Sequence, residues 1–505
     1  MKVAAPIIRI AVLGSGSSAL ACCLSLVEEI NRIAHYKVLI DVIDYSTKKH
    51  ETSSDVRPRD QGSARKLSSW NDASFKLPEK FKTISHLEGS IGGSAAFGGW
   101  SNVWGGTLQR YTRWGLNHWG TAGAEMMRGF EFVSKILPSL GSTEETVSDK
   151  DKVSRRLPNF LRPSRSVSRT GRSFSLIPSN LAIAKLAETQ SQGCNQCGEC
   201  LTGCPSDHIW AARHSWPLAF QSGHVNFFPN EWIETLVELT NYVIVESVDA
   251  NEKKIRREYD HVFVGLGALQ TGALMLRSKI VRDSVAVRDS RVILIPFVVG
   301  LLRKTSSTSS RISLSDAFLI STEEVVGNKV PDFFAQVYGY SDALDAQICH
   351  VQPLLRFVPT SLRRFLLRRI GVAMCFLDQD LSGSINLKID SDGFTTITSE
   401  DQLELRKESE RIAISNLASL GLRAIKLFKR NVGTGYGYHF GSSFPLCEPS
   451  EANQNYSNAH GCPNEMKRIH LVDSSVIPHV TALPITLTVM ANSARIAFSV
   501  MNEYS

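Results

Sequence analysis

Runs of apolar residues alternate with polar, glycine-rich turns along this chain, and the first repeat of that pattern organises the rest. Ile7 to Leu13 is apolar except for Arg9, which suits a buried parallel strand. Gly14, Gly16 and Ala19 follow as G-x-G-x-x-A, and the apolar run then continues as a helix through Val27. Gly14 permits the tight turn, Gly16 lets a pyrophosphate approach the backbone, and Ala19 lets the helix lie close on the strand. Ser17 opens the helix, whose free N–H groups and positive dipole end suit phosphate. The next apolar run, Val38 to Ile43, ends in Asp44, 28 residues after Gly16, where a ribose hydroxyl needs an acceptor. Asp41 lies inside that run and is the poorer candidate. A signal peptide is the competing reading of residues 7–27, but two glycines, several serines and no clear cleavage site argue against it.

Polar, interrupted sequence over 46–88 predicts loop. Gly89 to Gly106 then holds seven glycines in eighteen residues, interleaved with Phe97, Trp100 and Trp104. Such a stretch makes neither a stable helix nor an ordinary strand. The aromatics favour ordered backbone packed along a flat ligand, with Gly105 and Gly106 against it and Asn102 offering it a polar contact. Residues 113–140 predict one helix, and 141–175, rich in Ser, Arg and Thr, a long loop that is either a lid or a solvated insertion. After short strands at Val225–Phe228, Ile233–Leu239 and Tyr242–Val248, a second strand–turn–helix unit runs from Asp260 through Gly265 and Gly267 to Arg277. It reads as a return strand passing close to the first glycine turn. Residues 285–400 carry alternating runs that suit an antiparallel sheet. A helix is expected from Leu403 to Phe428, and a last one over Thr488–Ala497.

Composition narrows the class. The 505 residues suffice for two or more domains and a large core. A net charge of +7 without a dense basic block interleaved with aromatics argues against nucleic acid. No apolar run is long enough to span a membrane. Ser361 to Ile370 forms a basic amphipathic helix. Its apolar side suits the core, which the pattern favours, and the helix could otherwise rest on an anionic membrane surface or an acidic partner. With no export signal and clustered thiols, the sequence points to the cytoplasm, with peripheral membrane attachment left open.

Four of ten cysteines fall within eleven residues. Cys194, Cys197, Cys200 and Cys204, the last followed by Pro205, make C-x2-C-x2-C-x3-C-P, the spacing of a ferredoxin half-motif. The run suits a [4Fe–4S] cluster, with Cys204 folding back or a remote Cys447 or Cys462 as fourth ligand. Zinc, or thiols without metal, are the alternatives.

Together these pieces resemble the glucose–methanol–choline (GMC) flavoproteins. The resemblance rests on the N-terminal G-x-G-x-x-A, the stretch ending at Trp104-Gly105-Gly106, the strand Val262–Leu266 with Gly267, His439-x-Gly441, and the segment Val472 to Pro478 running into Thr488. It implies an α/β fold: a Rossmann-like FAD-binding domain over 1–284, an inserted antiparallel-sheet substrate domain over 285–430, and a return to the FAD domain over 431–505. It places Asp473, Pro484 and Thr486 beside FAD. It implies hydride transfer from an alcohol or sugar carbinol to the flavin, with His439 as the base that takes the hydroxyl proton. The family's usual second His or Asn falls near Pro484 here, whose side chain can neither donate nor accept, and His479 is misplaced for that role. The cysteine run favours a dehydrogenase over an oxidase. The alternatives are a flavin and iron–sulfur electron-transfer or binding protein without alcohol oxidation, and a NAD(P)-linked Rossmann enzyme.

Overall fold

The computed structural model describes residues 6–30, 32–33, 35–46, 81–83, 94–138, 166–167, 173–183, 200, 204, 208–299, 314–321, 333–340, 349, 353–435, 437–447 and 455–504. Ile7–Leu13 is the middle strand of a five-stranded parallel sheet. Its neighbours on one side are His261–Val264 and then Ile469–Leu471, and on the other Lys37–Ile43 and then Val225–Phe228. The apolar runs are strands because both faces of this sheet are covered. The helix Ser17–Ile30 packs on it, with the C-terminal helix Thr486–Met501 against that helix. The predicted return strand is confirmed. Gly14 has φ +99°, and a Cβ there would lie 2.7 Å from Gly265 O. A Cβ at Gly265 would in turn lie 2.9 Å from Ala19 Cβ. Turn, return strand and first helix therefore touch through positions without bulk.

The second large layer is an eight-stranded sheet. At its centre Val292–Val298 pairs antiparallel with Ile370–Leu377, which pairs with Phe333–Tyr338, then Ala317–Ser321, then Ser173–Pro178. Strand alternation sends its side chains two ways. Ile293, Ile295, Phe297, Ala373 and Cys375 pack toward Ala413 and Leu417 of the helix Leu403–Ser419. The opposite face, with Val292, Leu294, Met374 and Phe376, looks toward the parallel sheet. A four-stranded sheet, Val285–Arg288, Ser384–Ile389, Thr395–Glu400 and Phe81–Thr83, packs under the helix Ala268–Arg277.

Several expected elements differ. Phe81–Thr83 lies in the stretch read as loop, and Ser166–Val167 and Ser173–Pro178 overlap the predicted 141–175 loop. Phe81–Thr83 and Ser173–Pro178 owe their strand character to distant partners, Thr395–Ile397 and Ala317–Ser321, which local pattern does not reveal, and Ser166–Val167 pairs in turn with Ser173–Phe174. Residues 139–165 lie outside the described residues. The single helix over 113–140 is two, Arg113–Asn117 and Ala122–Ile136, parted at Gly120. The helix expected to reach Phe428 stops at Ser419. There Leu422 N donates to Leu417 O at 3.1 Å, a left-handed helix end at Gly421. The C-terminal helix is longer than expected, Thr486–Met501.

Candidate active site

One cavity of about 680 Å³ runs from the C-terminal edge of the parallel sheet to the inner face of the eight-stranded sheet. Three helices begin at its wall. Ser17 opens Ser17–Ile30, Ala268 opens Ala268–Arg277, and Thr486 opens Thr486–Met501; all three residues line the cavity. Neither Gly267 nor Ile485 caps its helix through a side chain. Three positive dipole ends therefore face the same space, a setting for a diphosphate. A Cβ on Gly16 would meet nothing within 4 Å, so the backbone there is open to a ligand. Asp44 ends the second strand on the cavity wall, where burial raises its pKa to about 6.

Gly14, Gly16, Ser17, Asp44, Gly105, Gly267, Asp473, Pro484 and Thr486 all line this cavity. Ala19, Gly106 and Asn102 are not among its lining residues. Ala19 serves by packing on Gly265. Asn102 is placed differently from the expectation of a cofactor contact. Its Nδ2 donates to Phe97 O at 3.0 Å and Gly99 O at 2.9 Å, and its Oδ1 accepts from Arg213. The amide is spent fastening the glycine-rich turn. Asp473 acts as a fastener too. It accepts from Gly267 N at 2.8 Å, from the Thr271 hydroxyl and from Ser475 N at 2.9 Å. This ties the start of one cavity-facing helix to the turn after Ile469–Leu471.

His439 stands at the far end of the cavity. Its ring lies on Phe376, with centroids 4.8 Å apart and planes at 16°. Its Nδ1 is buried and has no hydrogen-bond partner among the described residues. Burial lowers its pKa to about 4, so the imidazole is neutral in ordinary buffers. The loop that presents it is held from both sides. Arg288 and Gly441 exchange backbone hydrogen bonds of 2.8 and 3.0 Å, and Asp289 accepts from Gly435 N at 2.7 Å and Ser290 N at 2.9 Å. A Cβ on Gly437 would lie 2.0 Å from Ser290 O, so only glycine fits that approach. Asp289 is the residue that sequence reasoning missed. It lies in a different segment from the loop it holds, and no local motif marks it.

His479 does not reach the cavity. Its Nε2 lies 2.8 and 2.9 Å from the two Asp378 carboxylate oxygens, and its ring stacks on His118 at 4.3 Å. Pro484 does line the cavity, so no histidine or asparagine stands at that position beside His439.

Of the cysteine run, Cys200 lines the cavity and Cys204 Sγ accepts from His208 N at 3.1 Å. Cys194 and Cys197 lie outside the described residues. Among the described residues no histidine, cysteine or carboxylate completes a group of three with Cys200 and Cys204. The remote Cys462 is committed elsewhere, 3.3 Å from His470 Nδ1.

No protein-family model matches this chain, and neither does any curated protein sequence. Solved structures do. Pyridoxine 4-oxidase from Mesorbium loti superposes with a TM-score of 0.62 at 13% identity, over 97% of this chain and 99% of that one. Formate oxidase from Aspergillus oryzae, a structure concerned with modification of its FAD, gives a TM-score of 0.62 at 11% identity over 99% and 98%. At such low identity the likeness speaks for architecture, and it extends over nearly the whole chain: this protein has the fold of the GMC flavoproteins, a Rossmann-like α/β domain joined to an antiparallel-sheet domain.

Proposed function

We propose that this protein is an FAD-dependent oxidoreductase acting on the hydroxyl of an apolar alcohol. The observation that carries the reading is the cavity itself: three helix N-termini on its wall, and an unpartnered, neutral His439 on the same wall against the eight-stranded sheet. The residues fit FAD. Gly16 and the three helix starts suit the diphosphate, Asp44 a ribose hydroxyl, and the backbone at Gly105 and Gly267 lies along the path between. When bound, FAD supplies the hydride acceptor. The chain's own residues do the rest. His439, neutral and on the cavity wall, takes the substrate hydroxyl proton. Phe376 holds the imidazole plane, and the sheet face excludes water.

That face argues against a sugar. Val292, Leu294, Leu314, Met374, Phe376 and Val432 are apolar lining residues. Gln336 and Tyr338 are already engaged, because Tyr338 OH donates to Gln336 Oε1 and Gln336 Nε2 donates to Thr107 Oγ1 at 3.2 Å. A polyol would leave several hydroxyls without partners, at roughly 1–3 kcal/mol each, whereas an aromatic or branched aliphatic alcohol would not.

Anaerobic mixing of the FAD-loaded protein with benzyl alcohol, hexanol, glucose and sorbitol tests this. The apolar alcohols should bleach the flavin fastest. Faster bleaching by glucose or sorbitol would overturn the substrate class, and no bleaching by any alcohol would overturn the oxidoreductase reading in favour of an electron-transfer or binding protein. The place of Cys200 on the cavity wall favours one further element of this reading, a [4Fe–4S] cluster on Cys194, Cys197, Cys200 and Cys204. It would draw electrons off one at a time, which favours a dehydrogenase over an oxidase. About four irons and four sulfides per chain support it, and none would remove it.

A further inference from the structure

The basic segment around Ser361–Ile370 does not turn its apolar side to the core. In the helix Thr360–Leu367 the only buried residue is Leu367. Leu362 and Phe365 are 50% and 57% exposed, and with Leu366 they share one helical face by their i, i+3, i+4 spacing. Just before the helix, Leu354 and Phe357 are 78% and 85% exposed. Five arginines (356, 363, 364, 368 and 369) are interleaved with these side chains, and no aspartate or glutamate occurs between residues 346 and 377. Arg369 packs over the Phe365 ring at 3.9 Å, so cation and apolar group are presented together.

A second exposed apolar pair lies on the same sheet, across the strand Val292–Val298 from this segment. Leu427 is 85% exposed, and Phe428 is exposed beside it, in the short turn Lys426–Phe428. Both segments flank the strand Val292–Val298. Ile370 lies across from Val298, and Arg430, which lines the cavity, lies across from Leu294. With four residues of offset along that strand and one strand spacing on each side of it, the two positions are roughly 16 Å apart. Arg430 is itself exposed, so the cavity opens on this side.

We propose that residues 353–369, together with Leu427 and Phe428, form a docking face for an anionic lipid bilayer, set beside the cavity mouth. Exposed Leu and Phe enter the acyl boundary while the arginines meet lipid phosphates and carboxylates. A second copy of the chain suits this face less well, because a two-fold contact would bring its arginines against one another. An apolar alcohol dissolved in the bilayer would then meet the cavity mouth directly. The docking face itself does not depend on the redox chemistry.

Co-sedimentation of the full chain with vesicles tests the proposal. Vesicles of phosphatidylcholine with 30% phosphatidylserine should carry the protein down, and pure phosphatidylcholine vesicles should not. Raising the salt to about 0.5 M should weaken the binding, since exposed charges are screened. The double variant Phe357→Ser and Phe365→Ser should remain folded, because both rings are exposed, and should lose most of the binding. Arg364→Gln with Arg368→Gln should weaken it on the order of 30-fold. No sedimentation with the anionic vesicles, or sedimentation unchanged in both variants, overturns the proposal. So does a dimer in solution that the Phe357→Ser and Phe365→Ser variant abolishes, which would make the face a contact between copies.

Discussion

His439 lies nearly parallel to Phe376, 4.8 Å from it between centroids, with a buried Nδ1 that has no partner among the described residues. A buried polar atom held without a partner lowers stability, and it is retained where a ligand completes it. Replacing His439 with Leu should therefore separate activity from stability. Flavin reduction by alcohol should slow by about 10²–10⁴, while resistance to urea rises by about 1 kcal/mol. Unchanged flavin reduction would remove His439 from the base role.

The same burial sets a pH dependence. With its pKa lowered to about 4, His439 is ready to accept a proton down to mildly acidic conditions. The acid limb of kcat/KM should thus fall near pH 4 rather than near the usual imidazole value of about 6.5. A limb near 6.5 that persists in the His439 variant would place the controlling group elsewhere.

Asp289 positions the loop that carries His439 without touching the cavity, since it accepts from Gly435 N and Ser290 N. Asp289→Ala leaves these buried donors unpaired and lets the loop move. Turnover should drop at least about tenfold with little change in KM, because misplacement by about 1 Å is costly to catalysis. Asp289→Asn, which keeps an acceptor, should recover part of the loss. Equal effects of Ala and Asn would argue for a role in stability alone.

Two glycines two residues apart should behave oppositely. Gly14 is left-handed and a Cβ there meets backbone at 2.7 Å, whereas a Cβ at Gly16 meets nothing. Gly14→Ala should destabilise the apo chain by at least about 2 kcal/mol. Gly16→Ala should leave apo stability nearly unchanged and weaken FAD binding, because its methyl group takes the space offered to the ligand. Urea unfolding of the apo chain and FAD titration of each variant separate the two outcomes.

A buried network at the far edge of the parallel sheet predicts acid sensitivity. His460 O accepts from His470 Nδ1 at 2.9 Å, which leaves His470 Nε2 to accept from His261 Nδ1 at 3.0 Å. His261 Nε2 then accepts from Tyr504 OH at 2.7 Å. Both imidazoles are neutral, with burial lowering their pKa values to about 4 and about 3. Unfolding frees them to bind protons near pH 6.5. Their contribution is therefore complete above that pH and is lost as pH falls through about 4. Urea unfolding between pH 7 and 4 should show this slope, and His470→Gln should flatten it. An unchanged slope in the variant would place the acid sensitivity in other groups.

The parallel-sheet half was legible because its signals are local. Gly14, Gly16, Ala19 and Asp44 fall within one strand–helix–strand unit, and each stands where the pattern puts it. What the sequence hides depends on distant partners. Phe81–Thr83 and Ser173–Pro178 become strands only beside residues far away in the chain. Asn102, expected to offer the ligand a polar contact from the glycine-rich stretch, has its amide satisfied by Phe97, Gly99 and Arg213. The helix expected from Leu403 to Phe428 stops at Ser419, because the backbone turns away at the left-handed Gly421, which the periodic pattern does not reveal. The segment at Ser361–Ile370 shows the same limit. Periodicity reveals an apolar side, and only the fold shows that this side is exposed.

The central claim is that the cavity beginning at Gly14 and ending at His439 holds FAD. Adding FAD to the purified chain, removing the excess and recording the absorption spectrum tests it most directly. Flavin bands corresponding to about one FAD per chain, weakened in Gly16→Ala, are the predicted result. A chain that retains no flavin after this treatment, while remaining folded, would contradict the account.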